Sequence, residues 1–306
     1  MATKAELEAR IQQHRRAVLV VNPGSRSGDA LVIGAEALLR ERGITLSGMH
    51  VVDGDAGAAV DAALADDPDL LVLASGDGTL SQVVGRLAHR DTVLGIIPTG
   101  TTNNFARTLG IPLTIEGALD VLAHGKVADV DLGTLDGQHF ANVAALGISV
   151  SIAQSVPDGL KRVLGRAAYA LEGIRCLVQH HAIEVTVETE LGDFSYGTHE
   201  VIVANGRFHA GTLIAPDLSA DDHHLVVFHL GDRRRLALLR SLVLFAFHRP
   251  RTLREGNFVR VERARITAKP PQDLEVDGEL RGHTPVEVGI DREALKVMVS
   301  ADFPDE

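Results

Sequence analysis

Leu70-Leu71-Val72-Leu73-Ala74-Ser75-Gly76-Asp77-Gly78-Thr79 is the stretch on which the reading of this chain turns. Its unbroken apolar run predicts a strand buried on both faces, entering a glycine turn that carries one carboxylate. Leu80-Ser81-Gln82-Val83-Val84-Gly85-Arg86-Leu87 follows at once, with apolar positions at helical spacing. A turn between a buried strand and a helix start presents free backbone N–H groups at the positive end of a helix dipole. Two glycines let a phosphate approach that main chain closely. Asp77 beside a polyphosphate is repulsive unless a divalent cation lies between them or a hydroxyl donates to the acid. The turn therefore reads as a nucleotide site that also handles Mg²⁺. Alone the motif decides little, because Asp-Gly is also an ordinary turn pair.

Two further strand ends add weight. Val18-Leu19-Val20-Val21 runs into Asn22-Pro23-Gly24-Ser25-Arg26-Ser27-Gly28, ahead of a helix predicted from Asp29 to Arg40. This second turn is small-residue and phosphate-sized, with an arginine in it. Val93-Leu94-Gly95-Ile96-Ile97 leads into Pro98-Thr99-Gly100-Thr101-Thr102-Asn103-Asn104-Phe105-Ala106-Arg107. In an open parallel sheet, ligands bind where the C-terminal ends of strands converge, so the three turns are expected to line one crevice.

The pattern of elements changes near residue 130. Before it, strands alternate with helices, with helices at Ala58 to Leu64, Phe105 to Leu109 and Ile115 to Leu122. After it come mainly strands of period two, at Ile183 to Glu188, His199 to Ala204, Leu225 to Leu230 and Val259 to Ala268. The expected fold class is α/β plus all-β, an N-terminal parallel Rossmann-like α/β domain followed by a C-terminal antiparallel β-sandwich. A chain of 306 residues with 45% hydrophobic content is large enough for two cores.

The 41 acidic against 30 basic residues, net charge −11, argue against a general nucleic-acid binder. A single cysteine, Cys176, excludes an internal disulfide framework and suits a reducing cytosol. Met1 to Arg16 alternates charges and shows no signal peptide, and no run reaches the ~18 apolar residues of a membrane span, so a cytoplasmic location is expected. The pairs His180-His181 and His223-His224 do not by themselves argue for a zinc site, since adjacent histidines rarely chelate one ion.

Taken in order, Asn22-Pro23, Ser75-Gly76-Asp77-Gly78-Thr79 and Pro98-x-Gly100-Thr101-x-Asn103 resemble the diacylglycerol kinase catalytic domain of bacterial lipid kinases, which is related to sphingosine kinases and more distantly to NAD kinases. Val130-Asp131-Leu132-Gly133, Phe140 to Gly147, Ala204-Asn205-Gly206-Arg207 and Val276-Asp277-Gly278-Glu279 extend the resemblance over roughly residues 16 to 300. It implies a nucleotide domain of residues 1–130, with 291–306 returning to it through a last strand near Ala294 to Val299, and a substrate domain of residues 131–290. It also implies ATP as co-substrate, Mg²⁺ in a catalytic and a structural role, and a diacylglycerol-like lipid as acceptor at the inner membrane surface; a homodimer stays open.

By the same resemblance, Asn22, Ser75, Gly76, Asp77, Gly78, Thr79, Leu80, Ser81 and Thr101 contact the nucleotide. Asp77 and Asp131 join the acidic network around the catalytic Mg²⁺, and Glu279 is the general base. Asp222, with the carbonyls of Ser219 and His224, holds a structural metal. Read without the family, Asp131 is equally a turn residue and Glu279 an exposed hairpin acid after Asp-Gly.

The chain departs from the family pattern at three positions: Ser75 stands for a glycine, Asn104 for an aspartate of the acidic network, and His223 for the glycine after the metal-loop aspartate. A histidine is strained there if the loop needs a positive φ. The stretch from Arg233 to Arg251 suits either an interfacial helix flanked by arginines or a helix packed on the sandwich, and Leu160 to Leu171 offers a weaker parallel. Two alternatives remain at this point, an NAD kinase-like enzyme and a nucleotide-binding regulator without transfer activity.

Overall fold

The computed structural model describes residues 2–26, 28–155, 181–209, 211–214, 218–230 and 258–304. The Arg233 to Arg251 and Leu160 to Leu171 segments, Cys176, His180 and Asp217 lie outside the described residues. Helices are α1 (Lys4–His14), α2 (Gly28–Glu41), α3 (Ala56–Leu64), α4 (Asp77–Leu87), α5 (Asn104–Thr108), α6 (Ile115–His124) and α7 (Ile148–Ser155). The first strands are β1 (Arg16–Val21), β2 (Thr45–Val51), β3 (Leu70–Ser75), β4 (Val93–Pro98), β5 (Lys126–Leu135), β6 (Gln138–Phe140) and β7 (Val143–Gly147). Then come β8 (Ile183–Thr189), β9 (Gly192–Thr198), β10 (Glu200–Ala204), β11 (Phe208–His209), β12 (Thr212–Leu213) and β13 (Leu225–Leu230). The last are β14 (Phe258–Val261), β15 (Arg263–Lys269), β16 (Asp273–Val276), β17 (Glu279–His283) and β18 (Val286–Val299).

β1, β3 and β4 pair in parallel and are buried almost throughout, as continuous Val/Leu/Ile runs require when helices cover both faces. β2 closes one edge and alternates between exposed and half-buried positions. On one face of this sheet Val60, Val83, Val84 and Leu87 of α3 and α4 pack with Phe105; on the other, Leu31 and Leu39 of α2 pack with Leu119 and Leu122 of α6.

The second half is a sandwich. β14, β13, β10, β7, β16 and β17 form one antiparallel sheet in that order, and its inner face meets the alternating inward residues of β8, β15 and β18. β8 (Ile183, Val185, Val187) and β15 (Ala264, Ile266, Ala268) bury every second residue, as one-sided strands do.

β18 connects the halves. Its first residues, Val286 to Gly289, pair with β15, and Leu295 to Val299 pair with the start of β5 while Val297 meets Leu94 of the parallel sheet. The register shifts between Asp291 and Leu295. The ten-stranded sheet therefore continues from parallel to antiparallel order through one chain segment.

Two details differ from the sequence reading. Residues 259–268 form two strands in different sheets, β14 and β15, parted at Glu262, where the inward set shifts by one residue, from Val259 and Val261 to Ala264, Ile266 and Ala268. Asp77-Gly78-Thr79 is no free turn but the first turn of α4, with Gly76 as its N-cap. Among the described residues, no helix is long and apolar enough to cross a membrane.

Candidate active site

Three strand ends meet above the C-terminal edge of the parallel sheet. The Asn22 side-chain amide donates to Thr79 Oγ1 at 2.7 Å, and its own carbonyl oxygen accepts from Gly24 N–H at 2.9 Å. Thr99 Oγ1 donates to Ser25 Oγ at 2.7 Å, and Ser25 Oγ donates to the Asn22 carbonyl at 2.6 Å. Thr102 Oγ1 donates to Asp77 Oδ2 at 2.8 Å. Gly76 and Gly100 touch backbone to backbone: a Cβ on Gly100 would lie 2.6 Å from Gly76 Cα. The loops can cross this closely only because both residues lack side chains.

The N-cap of α4 has no side chain to satisfy the helix's first N–H groups, and the space beside Gly78 is open, with nothing within 4 Å of where its Cβ would stand. Gly78 and Thr101 are exposed, Asn22 and Asp77 half-buried, and Ser75, Thr79, Leu80 and Ser81 buried behind them. Such a bare helix end fits phosphate oxygens.

Glu279, the first residue of β17, is tied to α4. Gln82 Nε2 donates to its Oε1, and Arg281 Nη2 lies 3.3 Å from its Oε2. Arg281 also donates to Ser81 Oγ at 2.9 Å and to the Ser81 carbonyl at 3.1 Å. Sequence reading missed this arginine, although its signal was present: two residues after Glu279 on a strand, it shares the same face.

Asp277 organises the turn before Glu279. At φ 49 its carboxylate turns inward and accepts from the N–H groups of Ala141 (2.7 Å), Asn142 (2.9 Å) and Val143 (2.9 Å). Burial pushes its carboxyl above the ordinary range, these three donors oppose the rise, and repulsion from nearby Asp77 adds to it. Asp77 is itself held, accepting from Thr102 Oγ1 at 2.8 Å and from the Phe105 N–H at 3.3 Å.

Asp131 lies on β5. It is 1% exposed within β5 and accepts from the backbone N–H of His223 at 2.7 Å and of Glu293 at 2.9 Å. His223 Nδ1 stands 3.2 Å from both of its oxygens. The structure joins Asp131 to Asp221 and His223, whose ligating atoms all lie within 4.8 Å of one another. His223 adopts φ 61, the left-handed conformation for which the family's glycine is suited. Its two contacts with Asp131 hold that conformation.

Beside it, Asp222 Oδ2 accepts from Ser219 N–H at 3.0 Å and lies 3.6 Å from His224 Nε2. Burial raises the Asp222 carboxyl above its ordinary range, against a lowering by the Ser219 N–H and by His224. A buried and a half-buried carboxylate, Asp131 and Asp222, with histidines as their only ion-pair partners among the described residues, fit a hard divalent cation. Asn104, where the family has an aspartate, uses its side-chain oxygen to accept from Gly211 N–H at 2.8 Å.

The diacylglycerol kinase catalytic domain family matches residues 16–135, and the YegS C-terminal NAD kinase beta sandwich-like domain family matches residues 142–299. A diacylglycerol kinase of Staphylococcus epidermidis is 31% identical over 236 residues, covering 76% of this chain and 74% of that protein. A diacylglycerol kinase of Staphylococcus aureus is likewise 31% identical over 236 residues, covering 76% and 75%. A crystal structure described as a diacylglycerol kinase from Bacillus anthracis superposes with a TM-score of 0.74 at 25% identity, over 94% of this chain and 97% of its own. A second Bacillus anthracis chain, 24% identical, shows the same fold at a TM-score of 0.77. With three strand-end loops, a bare helix terminus and an acid facing it already in place, these matches settle descent: the chain belongs to the diacylglycerol kinase catalytic-domain family of lipid kinases.

Proposed function

We propose that this enzyme transfers the γ-phosphoryl group of ATP to a hydroxyl of a diacylglycerol-like lipid. The observation that carries the reading is the Glu279 carboxylate, set opposite the first turns of α4 by Gln82 and Arg281. Phosphoryl transfer needs a phosphate cradle, a cation to neutralise charge on the moving group, and a base for the acceptor. Asn22, Ser75 to Ser81 and Thr101 supply the cradle in this reading, with the α4 N–H groups facing the phosphates. Asp77, with Asp277 nearby, gives Mg²⁺ a place at the cleft. The lipid hydroxyl attacks the γ-phosphorus, Glu279 accepts its proton, and the bond to the ADP oxygen breaks.

In the same reading Asp131 joins Asp77 in the acidic network around the catalytic Mg²⁺, while Asp222 and the carbonyls of Ser219 and His224 hold a structural Mg²⁺. A lipid acceptor puts the work at a membrane surface. The basic residues between Arg233 and Arg251 are the segment whose charge suits anionic lipid, about 1 kcal/mol for each residue near the surface.

Incubation with γ-labelled ATP, Mg²⁺ and a total bacterial lipid extract, with NAD added in a parallel tube, tests the proposal. Label is expected in the organic phase. Label found only in the NAD-derived product, or in neither, would overturn it.

A further inference from the structure

At the far end of α4 from the nucleotide cradle lies a group of side chains that the kinase chemistry does not use. His89 follows α4 at φ 57, and its N–H donates to the Ala294 carbonyl at 2.7 Å, which fixes it against β18. His139 comes from β6, and Asp291 from the point where the β18 register shifts. The Nε2 atoms of both histidines converge on one oxygen, Asp291 Oδ2, at 2.8 Å and 2.7 Å. The imidazoles meet edge to face, with centroids 6.4 Å apart.

We infer that His89, His139 and Asp291 bind a borderline transition-metal dication of the Zn²⁺ kind, which clamps the end of α4 to the strand shared by both halves of the molecule. Two imidazole nitrogens and one carboxylate oxygen suit Zn²⁺ or Co²⁺ and disfavour Mg²⁺, which takes oxygen ligands. Tetrahedral coordination at Zn²⁺ bond lengths separates ligand atoms by about 3.3 Å, so each histidine nitrogen needs to draw back from the Asp291 oxygen by only about half an ångström, and all three ligand atoms already lie within 4.8 Å of one another. Each neutral imidazole moves its proton to Nδ1 and turns the Nε2 lone pair to the ion, and water fills the fourth position.

Solvent reaches the site, since the side chains of His89, Asp291 and His139 are 49%, 29% and 18% exposed. The clamp also reaches toward the catalytic side: the His139 carbonyl lies 3.5 Å from Nη1 of Arg281, the residue that positions Glu279. The inference is independent of the lipid-kinase reading.

Purified full-length protein, stripped with chelator and held in excess Mg²⁺ to fill oxygen-rich sites, is titrated with Zn²⁺ against a chromophoric chelator and with Co²⁺ by visible absorption. The parent is expected to bind Zn²⁺ and to show tetrahedral Co²⁺ bands. The double variant His89→Gln/His139→Gln, and separately Asp291→Asn, should lose at least tenfold in Zn²⁺ affinity and lose those bands. His14→Gln, a comparable surface histidine beside Asp69, should change neither. A parent that binds no Zn²⁺, or variants that bind it as the parent does, would overturn the inference. A variant's thermal midpoint in Mg²⁺ alone shows whether it has folded, and if the double variant fails there, Asp291→Asn and the parent's Co²⁺ spectrum decide.

Discussion

Glu200 shows how one side chain makes stability depend on pH. It is buried at the start of β10, 4% exposed, and its carboxylate accepts from the Ser149 N–H of α7 at 3.0 Å. Burial outweighs the hydrogen bonds to Ser149 and pushes its carboxyl from the ordinary 4.5 to about 7. The folded protein therefore keeps a proton that the unfolded chain has released between those values. The sign follows from linkage: the stabilisation is full below the unfolded value and is lost as pH rises through about 7. Glu200→Gln keeps the acceptor for Ser149 and cannot ionise, so its stability relative to the parent should improve by up to about 3 kcal/mol from pH 5 to pH 8. Urea unfolding at both values measures this, and an unchanged difference would mean that Glu200 titrates normally. Not every residue of this kind was legible in the sequence. The glycine that His223 replaces pointed to a position where a positive φ would matter, and the residue adopts one. The inward turn of Asp277 was hidden, because Asp-Gly reads alike whether the acid faces solvent or caps three N–H groups.

The elements nearest the site test how the cradle works. Gly100 and Gly76 mark the crossing of two loops, and a Cβ on Gly100 would also press to 2.8 Å from Asn103 Oδ1. Gly100→Ala should destabilise the fold by about 1–3 kcal/mol, as overpacking does, and weaken ATP binding because the loops must part. Gly78→Ala separates the two effects. It sits inside α4 with open space around it, so alanine should stabilise the helix by up to ~1 kcal/mol while its methyl obstructs the phosphates. Calorimetric unfolding alongside ATP titration checks both. A Gly78→Ala protein that binds ATP as well as the parent would move the phosphates away from the α4 terminus. The apolar strands and amphipathic helices of the first half were readable because burial on two faces leaves an unbroken apolar run. The break at Glu262 left a signal that went unread, since the apolar residues fall at Val259 and Val261 and then, one residue out of step, at Ala264, Ile266 and Ala268.

Across the whole molecule, long-range contacts join what the sequence leaves far apart. Asp131 N–H donates to the Ala220 carbonyl at 2.7 Å, and His223 N–H returns to the Asp131 carboxylate, so the 218–224 loop is sewn to β5 and through it to β18. A cation held by Asp222 would stiffen this seam, and binding to the folded state alone raises stability by mass action. Asp222→Ala should then abolish the rise in thermal midpoint that millimolar Mg²⁺ gives the parent; equal responses in both proteins would remove the structural cation from the account. The convergence of the first three loops was legible because all follow strands of one parallel sheet. The ties of Arg281 to Ser81 and of Gln82 to Glu279 were not, since no local pattern specifies a contact between α4 and β17.

The central claim is that Glu279 takes the proton of a lipid hydroxyl across the cleft from the nucleotide. Glu279→Gln retains the shape and the contact with Gln82 while removing the basicity, and a positioned base typically contributes ~10²–10⁴-fold in rate. The decisive measurement is the turnover of diacylglycerol in mixed micelles at saturating Mg²⁺ and ATP, parent against Glu279→Gln, with ATP affinity determined on both. The account predicts a fall in kcat of about a hundredfold or more with ATP affinity nearly unchanged. Turnover by Glu279→Gln close to the parental rate would contradict it.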